Sequence, residues 1–152
     1  MHLSAAGLEC MKKAEGFRNR AYKDVAGIPT IGYGHRLLPG EAFPGGIGQA
    51  QAEALLLSDV RLAEQALERL VKVPLRQGQF DALVDFIFNL GAGRLASSTL
   101  LKDLNAGRYD AAAGQLLHWD FAGKSELPSL KARREAELRL WDSGGAQQQA
   151  LA

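Results

Sequence analysis

Residues 15–35 read Glu15-Gly-Phe-Arg-Asn-Arg-Ala-Tyr-Lys-Asp24-Val-Ala-Gly-Ile-Pro-Thr30-Ile-Gly-Tyr-Gly-His35, and this stretch decides how the rest of the chain is arranged. It opens where a helical period stops. Upstream, Leu3, Gly7, Leu8 and Met11 recur at helical spacing, Ser4 stands ready to cap the amino end, and Gly16 follows Glu15. Residues 3–15 therefore read as one amphipathic helix with Glu15 in its last turn. From Gly16 to Gly48 there are eight glycines and three prolines around the alternating pieces Ala21–Asp24 and Pro29–Gly34. That pattern suits short antiparallel strands with tight turns and suits no helix.

Helical periodicity returns after Gly48. Residues 49–70 carry Ala52, Leu55, Leu56, Val60, Ala63, Leu67 and Leu70 on one side and Gln, Glu and Arg opposite, a pattern for one long helix ended by Pro74. Gln79–Leu90 is so apolar that protein must surround it, with Phe80, Leu83, Val84, Ile87 and Phe88 at the heart of the core. Three shorter helices are expected over 97–105, 108–118 and 129–142, the last ended by Ser143-Gly144-Gly145. The fold class is α+β, mainly α. One domain spans 1–143, with a small β-containing lobe at 16–47 and a helical lobe at 71–142 on which helix 3–15 packs; the long helix joins the two, and 144–152 is a flexible tail.

Composition narrows the function classes. In 152 residues, 18 Lys plus Arg face 17 Asp plus Glu, so no basic stripe offers itself to phosphates and no nucleic-acid partner is expected. The single cysteine, Cys10, excludes an intramolecular disulfide and reads as a small buried hydrophobe. The amino terminus lacks a signal-peptide pattern, and no segment approaches the ~20 apolar residues of a membrane span. The expectation is synthesis in the cytoplasm without stable membrane insertion.

Two carboxylates in contrasting surroundings would suit glycosidic hydrolysis, which pairs an acid on the leaving oxygen with a carboxylate that handles water. Glu15 ends a helix, where the macrodipole disfavours a second negative charge and favours the protonated form. Asp24, nine residues on, lies among Tyr22, Lys23 and Thr30, where solvent and donors keep it ionised. Spacing alone does not separate this pair from a solvated helix-end Glu and a turn Asp, and Thr30 alone is an ordinary strand residue.

The whole string separates them. It resembles the signature of phage-type lysozymes, glycoside hydrolase family 24: a Glu, an Asp nine residues later, a Thr six after that, then Ile-Gly-x-Gly-His. The resemblance continues through Ile47–Asp59, Phe80-Asp-Ala-Leu-Val, Phe88–Gly91, Ser98–Leu101, and Arg133-Arg134 with Glu135, Glu137 and Trp141. It implies a lysozyme-like fold and an endolysin that hydrolyses the β-1,4 bond between N-acetylmuramic acid and N-acetylglucosamine in peptidoglycan, lysing a host cell. Glu15 would be the acid, Asp24 would position or activate water, and Thr30 would hold that water. Inversion is implied, with carboxyls about 6.5–9.5 Å apart.

The resemblance further implies that His35 pairs with Asp59 as a structural ion pair, and that arginine near Arg133 and Arg134 approaches the catalytic Glu or the sugar. Both arginines, with Tyr33 and Asn89, are candidate substrate-binding residues, although the arginines also fit a solvated helix face. Trp119 fits core packing better than sugar stacking. No metal or cofactor is implied, and no second His or Cys stands at ligand spacing. The loop Phe121–Pro128 and Ser129-Leu130 depart from the glycine-rich version common in relatives and leave glycan preference open. A monomer is expected, acting on the wall in the periplasm after a separate holin-like protein has permeabilised the membrane. The alternatives are a lytic transglycosylase, which needs no water-handling carboxylate, and a catalytically silent glycan-binding module on the same fold.

Overall fold

The computed structural model describes residues 1–122 and 125–151. Helix α1 (Ala5–Glu15) is capped by Ser4, whose hydroxyl accepts from the Gly7 amide at 3.1 Å, and it ends at Gly16, φ +70°. A three-stranded antiparallel sheet follows in the order β1 (Arg18–Lys23), β2 (Pro29–Gly32), β3 (His35–Arg36), with Tyr22 opposite Thr30 and Ile31 opposite His35. Helices α2 (Gln49–Leu70) and α3 (Gln77–Leu90) come next, then α4 (Ala92–Ala96), α5 (Thr99–Asn105) and α6 (Tyr109–Leu116). A short hairpin, β4 (Phe121–Ala122) with β5 (Ser125–Glu126), leads into α7 (Pro128–Leu151).

Two apolar clusters hold these elements. The larger surrounds α3, whose residues from Gly78 to Ile87 are all buried, and takes in Met11, Leu56, Leu67, Leu100, Leu104, Leu116 and Trp141. The smaller, Ile31, Ile47 and Ala52, seats the sheet on the first turns of α2. Helix α2 thus serves both clusters, and its 22 residues match the expected bounds of 49–70. Among the described residues, no helix is long and apolar enough to cross a membrane.

Several details differ from the sequence reading. The helix expected over 97–105 starts at Thr99, capped by the Ser98 hydroxyl, and a separate turn of helix, α4, precedes it. The loop 121–128 contains a hairpin; its residues 123 and 124 lie outside the described residues. Helix α7 runs past Gly144-Gly145 to Leu151, because glycine permits a left-handed stop without requiring one and costs only about 1 kcal/mol inside a helix. Cys10 is half-buried and lines the cleft described below, so it is not the enclosed hydrophobe expected. Trp119 packs edge-on against Phe86, ring centroids 5.6 Å apart, as a core residue.

Helix α1 is locked in place by polar contacts at its start. Asp81 of α3 accepts from the Ser4 amide at 3.0 Å and from the Ser4 hydroxyl, and Glu64 of α2 accepts from the Leu3 amide at 2.6 Å. Gly7 lets α1 approach closely, since a Cβ there would lie 2.8 Å from Asp81 Cγ. The far end of α1 is thereby aimed at the sheet and α7.

Candidate active site

A cleft of about 2100 Å³ runs along the end of α1, the sheet and α7, and Glu15, Asp24, Thr30, Tyr33, Asn89 and Arg133 all line it. Glu15 reaches it because α1 stops at Gly16, the next residue. Its carboxyl lies over Gly34: a Cβ at that position, where φ is +71°, would overlap Oε2 and fall 2.7 Å from Cδ. Arg133 Nη1 of α7 donates to Glu15 Oε1 at 2.5 Å. The same guanidinium grips Asp85 of α3 in a two-point fork, Nε to Oδ2 at 3.0 Å and Nη2 to Oδ1 at 2.8 Å. Arg133 is buried, and the carboxylates of Asp85 and Glu15 hold its charge more firmly than burial opposes it.

Asp24 opens the turn between β1 and β2. Its Oδ1 accepts from the Ala26 and Ile28 amides, both at 2.9 Å, a side chain folding back on its own turn as Asp does readily. Oδ2 has Arg36 Nη2 at 3.7 Å. Thr30, buried on β2, donates its hydroxyl to Ile28 O at 2.8 Å, which leaves the oxygen's lone pairs as acceptors. Tyr22, across the ladder from Thr30, has its phenol raised by burial and then by the negative charges of Glu15 and Asp24, with the Arg18 guanidinium stacked 4.5 Å from its ring opposing. One phenol therefore senses both carboxyls.

The other candidates fall in different places. Tyr33 meets Phe17, centroids 5.6 Å apart, and has Lys12 Nζ 5.7 Å from its ring. Arg134 is fully buried and does not line the cleft: it donates to Asn89 Oδ1 at 2.8 Å and to Glu137 Oε2 at 2.7 Å. Adjacent helix residues point about 100° apart, so only Arg133 of the pair meets Glu15. His35 Nδ1 lies 2.7 Å from Asp59 Oδ2 on α2, and Nε2 lies 2.7 Å from Glu41 Oε1. Burial opposes the imidazolium, but the two carboxylates outweigh it and hold His35 above its usual range. Among the described residues, no group of His, Cys, Asp and Glu is arranged to hold a metal ion.

The sequence model of the family described as phage lysozyme matches residues 12–137, which include Glu15, Asp24, Thr30 and Arg133. The chain belongs to the phage lysozyme family. Two curated relatives, the endolysins of Acyrthosiphon pisum secondary endosymbiont phage 1 and of Salmonella phage P22, are each 42% identical to it, over 149 and 144 residues. The alignments cover 94% and 92% of this chain and 99% of each relative. A crystal structure of a mutant P22 lysozyme superposes with a TM-score of 0.80 at 41% identity, over 93% of this chain and 98% of that one. This phage lysozyme chain thus has the mainly helical fold with a small sheet that the resemblance implied.

Sequence reasoning missed Asp85, Gly34, Glu41 and Tyr22. A signal existed for Asp85, an acid inside the apolar run Phe80–Phe88, because a buried charge requires a partner. Gly34 stood in the quoted motif, yet nothing in the string says what its missing side chain makes room for.

Proposed function

We propose that the chain is a peptidoglycan muramidase in which Glu15 is the general acid and Asp24 with Thr30 handles the attacking water. The reading of the fold as an endolysin that hydrolyses the β-1,4 bond between N-acetylmuramic acid and N-acetylglucosamine rests on the family; the roles of the residues rest on their chemistry. The carrying observation is that Glu15, held by Arg133, and the Asp24–Thr30 pair line one cleft. As Glu15 gives its proton to the leaving oxygen it becomes a carboxylate, and Arg133 is already in place to stabilise that charge. Asp24 Oδ2, which takes no part in the turn, and the Thr30 hydroxyl oxygen are both acceptors. A water donating to both turns a lone pair toward the anomeric carbon, the arrangement for inversion. Tyr33, Asn89 and Arg133 are the substrate contacts in this reading; the enclosed Arg134 is not one.

The access route in this reading is release through a membrane lesion made by a separate holin-like protein, with the enzyme acting as a monomer on the wall. Wall hydrolysis in cells that express the chain alone would overturn that route. The catalytic reading is tested by mass spectrometry of digested peptidoglycan after borohydride reduction. Reducible muramic acid ends are expected, and they should vanish with Glu15→Gln while glycan binding persists. Anhydromuramic ends would make the enzyme a transglycosylase, and an undiminished Glu15→Gln would remove Glu15 from its role.

A further inference from the structure

One rung of the sheet sets three side chains in a row. Tyr22 of β1 lies opposite Thr30 of β2, and Thr30 lies opposite Arg36 of β3. Residues directly opposite on neighbouring strands share a face, and all three line the cleft together with Asp24. Tyr22 is thus the immediate neighbour of the threonine that holds water in the proposed reading.

Its ring is held and its hydroxyl is free. The Arg18 guanidinium stacks on the ring, 4.5 Å from its centroid. The side chain is partly buried, and among the described residues no hydrogen bond engages its hydroxyl. Tyr109, by contrast, donates its hydroxyl to Pro74 O at 2.7 Å. A phenol at the edge of the interior ordinarily finds such a partner. Burial and the charges of Glu15 and Asp24 keep the Tyr22 phenol protonated, so what it offers the cleft is an O–H donor.

Donors are scarce on this rung. Asp24 Oδ2 accepts, and the Thr30 hydroxyl has given its proton to Ile28 O. Arg36 Nη2 is turned toward Asp24 Oδ2 at 3.7 Å. Sugar hydroxyls can donate to such acceptors, but an amide carbonyl only accepts. In N-acetylmuramic acid that carbonyl hangs from carbon 2, next to the anomeric carbon that the water attacks. A sugar placed for attack by water on Asp24 and Thr30 therefore brings its acetamido group to the wall beside Thr30, where Tyr22 stands.

We propose that Tyr22 binds the 2-acetamido group of the muramyl sugar: its phenol donates a hydrogen bond to the N-acetyl carbonyl oxygen and keeps that oxygen turned from the anomeric carbon. The second effect matters because a 2-acetamido carbonyl is itself a nucleophile, able to attack its own anomeric carbon in place of water. Held by the phenol, it leaves the reaction to the water on Asp24 and Thr30. This inference rests on the reading of the site as a muramidase site with water as nucleophile.

The test is a cycle of two enzymes and two substrates. Wild type and Tyr22→Phe, which keeps the ring and its stack on Arg18, are given soluble glycan chains carrying N-acetylmuramic acid. They are also given the same chains with an N-thioacetyl group on that sugar, whose sulfur is a weak acceptor of nearly the same shape. On N-acetyl chains the variant should lose about five- to tenfold in kcat/KM, the size of one neutral hydrogen bond. On thioacetyl chains the two enzymes should agree within about twofold, and their melting temperatures should agree too. An equal loss on both chains would overturn the proposal, since the phenol then acts on something other than that carbonyl. No loss on either would make Tyr22 a packing residue.

Should both enzymes leave the thioacetyl chains uncut, the same cycle is read by calorimetry in the Glu15→Gln background, with and without Tyr22→Phe. The phenol should then tighten binding of the N-acetyl chain about fivefold and leave the thioacetyl chain unchanged. Equal dissociation constants for the N-acetyl chain would sink the contact. Failure of the muramidase reading looks different: wild type would release no reducible muramic acid ends from the N-acetyl chain, while the binding cycle still reported on Tyr22.

Discussion

Gly34 and Gly16 offer a matched pair at the scale of single residues. Both have positive φ, +71° and +70°, so a Cβ at either one strains the backbone by about 1–2 kcal/mol. At Gly16 nothing lies within 4 Å of that Cβ, whereas at Gly34 it would occupy the place of the Glu15 carboxyl. On the proposed reading of Glu15 as the acid, Gly34→Ala should therefore abolish most hydrolysis, by about tenfold or more, while Gly16→Ala keeps it. Gly34→Ala should lose at least as much stability in thermal melts as Gly16→Ala, because it also pushes Glu15 off Arg133, and equal activities would show that Gly34 does not set the Glu15 position. Arg133→Met is a second test. It leaves the enclosed Asp85 carboxylate without its counter-ion, a loss of about 3–5 kcal/mol. Urea unfolding should reveal it, and a loss below about 1 kcal/mol would mean that Asp85 takes up a proton instead.

At the scale of elements, α1 carries Glu15 at one end and is fastened at the other. Ser4 both caps the helix and reaches Asp81, so one side chain joins α1 to α3. Ser4→Ala should cost about 1–2 kcal/mol, the upper part of the range for a lost cap, because Asp81 also loses a donor. A thermal melt reads that loss. Hydrogen exchange should show the added opening in the first turns of α1, and uniform change across the molecule would contradict a local fastening.

The sheet is tied to α2 at the scale of the whole molecule by His35, which bridges Asp59 and Glu41 from its two ring nitrogens. His35 is raised above its usual 6.5, so its contribution is fully present below about pH 6.5 and is lost as pH rises through the higher folded value. Glu41 is lowered from 4.5 by the Leu38 amide and by His35, so its contribution is present above that value and is lost as pH falls through the lower folded value. Asp59 has the opposite sign, burial pushing it up against the pull of His35. The excess melting temperature of wild type over Glu41→Gln should thus be largest in mildly acidic solution and shrink above the folded value of His35. Melts from acidic to alkaline pH check this, and an excess that grows with alkalinity would mean that the imidazole is neutral in the fold.

The sequence by itself determined the elements and the motif. The 3.6-residue period of 49–70 gave α2 at its observed bounds, the apolar run 79–90 marked the buried helix α3, and glycines with alternation marked the sheet. These are local patterns, and local patterns are what a linear string records. The string also held Glu15, Asp24, Thr30 and the His35–Asp59 pair, since a hairpin and a helix bring them together over short spans or through a familiar motif.

Only the tertiary structure decided which arginine meets Glu15, 118 residues away, and which acid anchors it from inside the core. Periodicity tells a helix which side to bury but not what it is buried against. The packing of α7 on α3 chose Arg133 for the cleft and sent Arg134 inward to Asn89 and Glu137. Burial removed the water that would have screened those charges, and that is a property of the assembled interior rather than of any segment within it.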